Sequence, residues 1–230
     1  MIIPPSAREP APSGPADPAA RLAAHLLGVG LLLAVIVALP VAPTDLDRHQ
    51  LPKETLAELA TLAAVLVARP AVFRYLRPAA KWALGALMLA MIVSSFTAHN
   101  GWLAFRATAL MLTGVAAFAA AREVAARGQA GALIAWCAAA GVAGAAGGLA
   151  QAYGFGSPLF APLRVPGGTF GNRNFMAHFS ALTLPVLVTV ALGTRRRIGV
   201  GLAAAGCALL TAAVILSRSR AAWIASGVAV

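Results

Sequence analysis

Long apolar runs separated by short polar segments make up most of this chain. Several runs approach or reach the roughly 20 apolar residues that cross a bilayer. We predict seven of them as membrane-spanning helices, at residues 22–39, 54–68, 82–98, 105–121, 131–150, 174–193 and 199–216. An eighth run begins at Ala221 and covers about half a span before Val230. The pattern predicts an all-α, polytopic transmembrane helical bundle of seven full spans and a truncated eighth.

The two ends of the chain differ from the spans. Residues 1–20 are rich in Pro, Ala and Ser and predict a disordered tail, because they cannot bury a core. A helix that stopped halfway through a bilayer would leave carbonyls unsatisfied in hydrocarbon. We therefore expect residues 21–230 to be a transmembrane domain that is incomplete at its C-terminus. A cleaved signal peptide is the alternative for residues 22–39, but that run exceeds the usual 7–15 apolar residues.

Composition supports the membrane assignment. The chain is 60% hydrophobic and 11% charged, with a mean hydropathy of +0.82, whereas a soluble domain carries about 25% charged residues. The net charge of +11 does not indicate nucleic-acid binding, since the basic residues lie in short clusters rather than on a soluble face. Cys137 and Cys207 lie inside apolar runs, and no Cys or His spacing resembles a metal site. We predict neither a metal nor a cofactor.

The basic residues are distributed unequally between alternate loops. With the N-terminus inside, eleven of the eighteen Lys and Arg residues lie on the inner segments: Arg8, Arg21, Arg69, Arg74, Arg77, Lys81, Arg122, Arg127, Arg195, Arg196 and Arg197. Positively charged loops stay cytoplasmic. The sequence therefore predicts a multi-pass protein of the plasma membrane with a cytoplasmic N-terminus.

Arginines also lie on the opposite, outer side, where the C-terminal half offers no carboxylate. No acidic residue follows Glu123, yet Arg164, Arg173, Arg218 and Arg220 fall on outer segments. Unpaired cations at a membrane boundary need an anionic partner, and a planar guanidinium recognises phosphate better than lysine does. A phosphorylated lipid is the simplest candidate.

The longest interruption of the apolar pattern, residues 151–174, is rich in Gly and Pro and predicts an irregular outer loop. It ends in Asn172-Arg173-Asn174 at the start of a predicted helix. One interpretation is that Asn172 or Asn174 caps the helix. The other is an anion cradle made by helix N–H groups, amide side chains and Arg173. His178 follows Asn174 by four residues and shares its helical face.

A second polar element, Ser217-Arg218-Ser219-Arg220, lies at the outer junction of the last two apolar runs. Residues two apart on a helix point to nearly opposite sides, so we do not expect both arginines to face one cavity. Snorkelling to the headgroups is the alternative role for either.

Small residues dominate the run 131–150, where Gly141, Gly144, Gly147 and Gly148 form a strip. Such strips let helix backbones approach closely. We favour tight packing within the bundle, and a homodimer seam is the alternative.

Two stretches together resemble a known family. Gly168-Thr169-Phe170-Gly171-Asn172-Arg173-Asn174-Phe175-Met176-Ala177, followed some forty residues later by Ser217-Arg218-Ser219-Arg220-Ala221-Ala222, is similar to the O-antigen ligase and polymerase family of bacterial membrane glycosyltransferases. Arg173 replaces the family's usual Pro, and Ser219 stands where Gly is common. The resemblance covers roughly residues 82–230.

The resemblance implies an inner-membrane enzyme of lipopolysaccharide biosynthesis. It would take a glycan from an undecaprenyl-pyrophosphate carrier at the periplasmic face and transfer it to lipid A core, a protein or another glycan. The catalytic residue is expected beyond Val230, in a large periplasmic loop. Substrate-binding candidates are Arg218 first, then Arg173, Asn172, Asn174, His178, Arg220 and Arg164. The rival functions are a transporter or flippase of a lipid-linked oligosaccharide, for which we find no repeated halves, and a non-catalytic membrane scaffold.

Overall fold

A computed structural model describes residues 17–40, 45–71, 76–161 and 165–229. These residues form eight α-helices: α1 (Pro18–Ile36), α2 (Asp45–Ala68), α3 (Pro78–Phe96), α4 (Gly101–Val124), α5 (Ala130–Ala152), α6 (Arg173–Gly193), α7 (Arg197–Ser217) and α8 (Arg220–Ala229). A π-helical turn at Ala125–Gln129 joins α4 to α5, and a 3-10 turn at Gly168–Phe170 precedes α6. No strand occurs within the described ranges, so the all-α prediction is confirmed.

Five helical stretches of the described chain are long and apolar enough to cross a membrane: α1, α3, the stretch Gly101–Ala152, α6 and α7. The stretch Gly101–Ala152 contains both α4 and α5. It leaves helical geometry at Arg127 (φ −91°, ψ 20°) and Gly128 (φ 84°, ψ 9°), so it comprises two helices. Neither α2 nor the ten-residue α8 belongs to the set of five. These helices support a membrane protein, whereas the predicted count of seven full spans is not established by them.

The second helix is longer than its apolar pattern predicted. We expected it to begin near residue 54, but α2 begins at Asp45. The additional turns carry charged side chains that find partners elsewhere in the bundle. The Lys53 ammonium donates to the carbonyls of Ala34, Val35 and Val37 at 2.7, 3.1 and 2.6 Å, where α1 ends. A hydropathy pattern cannot predict a helix whose first turns are stabilised by hydrogen bonds from charged side chains to other segments.

Hydrogen bonds between distant segments sort the helix ends into two groups. At one end of the bundle, the Arg127 guanidinium donates to Asp17 before α1 and to the Ala68 carbonyl at the end of α2. At the other end, the Thr169 hydroxyl donates to the carbonyl of Val35, 2.5 Å away. The chain thus alternates between the two ends, as the predicted threading requires.

The start of α1 is fixed at the first of these ends. Asp17 is its N-cap and accepts the backbone N–H of Ala19 at 2.9 Å. This hydrogen bond to the charged carboxylate lowers the pKa of Asp17 below its ordinary value.

The core contains two main groups of buried side chains. One joins α5, α6 and α7 through Met176, Leu184 and Leu210, and the other joins α1, α2 and α4 through alanines and Val124. By contrast, α3 has no buried residue, and its main contact is with α4. The bundle is therefore built around two packed groups, α1 with α2 and α4, and α5 with α6 and α7.

The glycine strip of α5 lies inside this packing. A Cβ at Gly141 would overlap Thr183, one at Gly144 would press on Val35 and Phe170, and one at Gly148 would press on Met176. Three of the four glycines therefore have the packing role that we favoured, whereas a Cβ at Gly147 would meet open space. The homodimer seam stays a prediction.

Candidate functional site

The Asn172-Arg173-Asn174 element begins α6, and Asn172 is its N-cap. The Asn172 side-chain oxygen accepts the N–H of Asn174 at 2.9 Å, and its backbone carbonyl accepts the N–H groups of Phe175 and Met176. Arg173, Asn174 and the downstream His178 are exposed. The capping interpretation therefore holds for Asn172, while Arg173 and Asn174 remain available at the first turn.

The Ser-Arg-Ser-Arg element forms a turn between α7 and α8. The Ser217 hydroxyl donates to the Val214 carbonyl at 2.6 Å and accepts the N–H of Ser219 at 3.2 Å. Both serines are buried, whereas Arg218 and Arg220 are exposed. The serines thus hold the turn and the arginines face outward.

This turn removes the basis for the expectation that Arg218 and Arg220 point to opposite sides. That expectation assumed a continuous helix, but α7 ends at Ser217 and Arg218 adopts the left-handed conformation (φ 54°, ψ 28°). Burial alternates along residues 217–220, so both arginine side chains are exposed while the two serines are buried.

The two elements lie at the same end of the bundle. Ala177 in the first turns of α6 packs with Val214 near the end of α7 and with Ala222 near the start of α8. Arg173 and the Arg218–Arg220 turn are therefore neighbours at this end. Arg164, the remaining predicted site residue, lies outside the described residues.

The arginines of this end differ in whether they have partners. Arg106 pairs with Glu54 at 2.5 Å, and the Arg48 guanidinium donates to the Leu39 carbonyl at 2.7 Å. Within the described ranges, by contrast, no hydrogen bond or ion pair holds the side chain of Arg173, Arg218 or Arg220. Arg48 and Arg106 are therefore satisfied by the protein, whereas these three are outer arginines for which we expected an anionic partner. We call the remaining three the arginine cluster.

The loop before the arginine cluster is held by one side chain of α5. The Gln151 side-chain oxygen accepts the N–H groups of Gly167 and Gly168, each at 2.8 Å, and its amide donates to the Ala161 carbonyl at 2.6 Å. Residues 166–168 are buried. The sequence shows a glutamine at the edge of a Gly- and Pro-rich segment. It does not show which three backbone groups the glutamine side chain binds.

Two further side chains, on α2, fix the same loop. The buried His49 ring donates from Nδ1 to the Thr169 carbonyl at 3.0 Å, and the Lys53 ammonium lies 5.0 Å from the centre of the Phe170 ring. The apolar pattern places His49 before the second helix, but it lies in α2 and touches the segment that leads to Asn172. The i, i+4 spacing of His49 and Lys53 places both on one helix face.

We predict that Gly171→Ala will destabilise this end of the protein. Gly171 has φ 68°, and a Cβ there would overlap the His49 ring. The left-handed conformation alone costs a non-glycine residue about 1–2 kcal/mol, and displacement of His49 adds to it. The midpoint of thermal unfolding in detergent should fall. Gly147→Ala is the matched control, because its Cβ would meet open space, and an equal fall for both variants would contradict the proposed contact.

Chemically, the arrangement suits the binding of an anion. It offers exposed guanidinium groups, the amide of Asn174 and a helix N-terminus, and anions are favoured at helix N-termini. No group of three or more His, Cys, Asp or Glu side chains lies close enough to hold a metal within the described part of the chain.

Comparison with known proteins gave no match: neither a family model, nor a curated protein, nor a solved structure is significantly similar to this chain. The resemblance to O-antigen ligases therefore rests on the residues of the two motifs.

Proposed function

We propose that this chain is part of an O-antigen ligase-like glycosyltransferase that binds an undecaprenyl-pyrophosphate-linked glycan at the arginine cluster. The glycan would pass to lipid A core, a protein or another glycan. The observation that carries the proposal is Arg218, an exposed arginine in a left-handed turn with no ion-pair partner among the described residues.

The position and exposure of Arg218 support a binding role. Its guanidinium has no partner among the described residues, and it lies at the same end of the bundle as Arg173. The left-handed geometry of Arg218 recurs at Arg69, at the opposite end, and so does not by itself indicate a ligand. A pyrophosphate leaving group gains negative charge as the glycosidic bond breaks, and preorganised cations stabilise that charge.

The membrane arrangement is the second part of the proposal. Seven of the helices, α1 to α7, cross the bacterial inner membrane, with α2 crossing despite its charged first half, and the N-terminus is cytoplasmic. The alternation of helix ends supports this threading, and the loop bias of Lys and Arg supports the orientation.

We expect a membrane-impermeant thiol reagent added from the periplasm to label Ser157→Cys but not Thr194→Cys. Ser157 lies in the loop that follows α5, and Thr194 precedes the triplet Arg195–Arg197 at the opposite end. Because basic loops stay cytoplasmic, only the first should be accessible. The two native cysteines are first replaced by alanine. Labelling of residue 194 from the periplasm would reverse the orientation and move the arginine cluster to the cytoplasmic face.

Lipid binding tests the proposed substrate. The chain is titrated in detergent with undecaprenyl pyrophosphate and, as a control, with undecaprenol, which has the same tail and no phosphate. A ligand that binds only the folded state raises the unfolding midpoint. A shift with the pyrophosphate alone supports the arginine cluster as its site, and equal shifts with both lipids contradict it.

The transporter alternative is separated by activity in vesicles. A flippase would move a fluorescent lipid-linked oligosaccharide across the bilayer and leave the glycan attached. A transferase, assayed in a system that supplies the expected catalytic loop and an acceptor, would move the glycan to the acceptor and release the polyprenyl pyrophosphate.

A further inference from the structure

An open groove runs along the outside of the bundle between α5, α6 and α7, at the end opposite to the arginine cluster. Its volume is about 920 Å³, within the range of about 300–1,000 Å³ that is usual for ligand pockets. The surface is mainly apolar, and much of it comes from small residues that leave a concave strip, such as Gly131, Ala135, Ala138, Ala139, Gly199 and Ala203. A concave apolar strip fits a slender hydrocarbon chain.

The groove has the depth of one membrane leaflet. Its α5 wall extends from Gly131, in the first turn of the helix, to Val142. Eleven residues of α-helix rise about 16 Å, and half of a bilayer's hydrocarbon is about 15 Å. The groove therefore begins at the helix ends and finishes near the middle of the bilayer, as an acyl chain of one leaflet does.

Positive charge lies at the open end of the groove. Thr194 lines the groove, and the chain continues directly into Arg195, Arg196 and Arg197, all of them exposed. None of the three side chains is engaged in a hydrogen bond or ion pair with the described residues, and the sequence contains no acidic residue after Glu123. Guanidinium groups match the geometry of phosphate oxygens.

We propose that this groove binds an anionic phospholipid, with one acyl chain between α5, α6 and α7 and the phosphate at Arg195–Arg197. Basic pockets between transmembrane helices bind anionic headgroups in this way. A second protein helix could fill the apolar part, but it would leave the arginine triplet without an anion. The proposal does not depend on the transferase function, because it concerns the opposite end of the bundle.

Native mass spectrometry of the detergent-purified protein, titrated with phosphatidylglycerol or phosphatidylcholine of identical chains, measures the binding. We expect the protein to retain one molecule of phosphatidylglycerol in clear preference to phosphatidylcholine. Each arginine near an anionic headgroup contributes a factor of about five to binding. Arg195→Gln combined with Arg196→Gln should therefore weaken phosphatidylglycerol binding about 25-fold, while Arg197 keeps a basic residue in the loop.

Two matched variants distinguish lipid binding in the groove from general attraction of anionic lipids to positive charge. Ala135→Leu with Ala139→Leu fills the groove and leaves every arginine in place, so it should also abolish retention of phosphatidylglycerol. Arg77→Gln removes an exposed arginine at the same end, before α3 and away from the groove, and should leave retention unchanged. Equal binding of phosphatidylcholine, or unchanged binding in the filled variant, would overturn the proposal. A dimer that disappears in the filled variant would instead assign the groove to a second copy of the chain.

Discussion

Arg218→Gly is expected to remove most of the affinity for undecaprenyl pyrophosphate while making the folded protein more stable. Hydrogen bonds to charged groups contribute about 1.5–3 kcal/mol, so the loss of the guanidinium should weaken binding by about 10- to 150-fold. Arg218 has φ 54°, and release of a left-handed non-glycine residue should return about 1 kcal/mol. Lipid titration and thermal unfolding of the same sample measure both effects.

A loss of affinity together with a gain in stability is informative, because a substitution that disrupts the fold lowers both. A variant that merely misfolds loses affinity and stability at once. In a system that also supports glycan transfer, the loss of one group that stabilises developing negative charge should reduce the rate by about 10²–10³. Weakened binding with raised stability would thus assign Arg218 to the ligand.

The chain supplies a matched control in Arg69. This arginine follows α2 at the opposite end of the bundle, is exposed and also adopts left-handed geometry, with φ 49°. Arg69→Gly should give a similar gain in stability with unchanged binding of undecaprenyl pyrophosphate. If Arg218→Gly binds the lipid as well as the unmodified protein does, Arg218 does not bind the pyrophosphate. Its guanidinium then serves as an anchor to the lipid headgroups.

The Arg218→Lys variant distinguishes bidentate binding of phosphate by the guanidinium from attraction to a positive charge alone. A phosphate bound by two parallel N–H groups cannot be held in the same way by an ammonium, whereas a snorkelling arginine tolerates lysine. We expect Arg218→Lys to bind weakly. Arg220→Lys tests the other arginine of the turn in the same way, since Arg220 is also exposed.

The helices could largely be predicted from the sequence, since a bilayer imposes one length and one composition on each span. The helices α1 and α3–α7 fall where apolar runs predicted them, within a few residues. The exception, α2, shows the limit of the method. Its early start at Asp45 depends on the charged residues Arg48, Lys53 and Glu54, which a hydropathy pattern counts against a helix and which partners from other segments stabilise.

The candidate site was predicted only in part. The motifs identified the segments, but the roles within them depend on backbone geometry that the sequence does not specify. Asn172 acts as the cap, and the turn at Arg218 ends α7 and leaves both arginines of the second motif exposed. The supporting residues Gln151 and His49 were missed, because each acts through backbone groups ten or more positions away in the chain.

The second large effect is expected at Arg127, far from the arginine cluster. Its guanidinium donates to Glu123 from Nη2 at 2.8 Å, to Asp17 at 3.2 Å and to the Ala68 carbonyl at 3.0 Å. One side chain therefore joins α4, α1 and α2 just before the break at Gly128. Removal of one partner from a buried ion pair costs about 3–5 kcal/mol.

We expect Arg127→Ala to lower the free energy of unfolding by about 3 kcal/mol, near the lower limit of that range, because the arginine side chain is 31% exposed whereas Glu123 is 2% exposed. The measurement is denaturant or thermal unfolding in detergent. Arg127→Lys should be intermediate, since an ammonium keeps the charge but cannot reach three elements with a planar fork.

A double-mutant cycle separates the contribution of the Arg127–Glu123 ion pair from that of the other hydrogen bonds of Arg127. Glu123→Gln removes the buried charge that Arg127 balances, so Arg127→Ala should cost less in that background than in the unmodified protein. The part that remains reports the bonds to Asp17 and to the Ala68 carbonyl, and replacement of Asp17 by asparagine should reduce it further. If Arg127→Ala costs the same whether residue 123 is Glu or Gln, the pair with Glu123 contributes little. The junction of α1, α2 and α4 would then be held by apolar packing around Val124 and the alanines of α1 and α2, and not by charge.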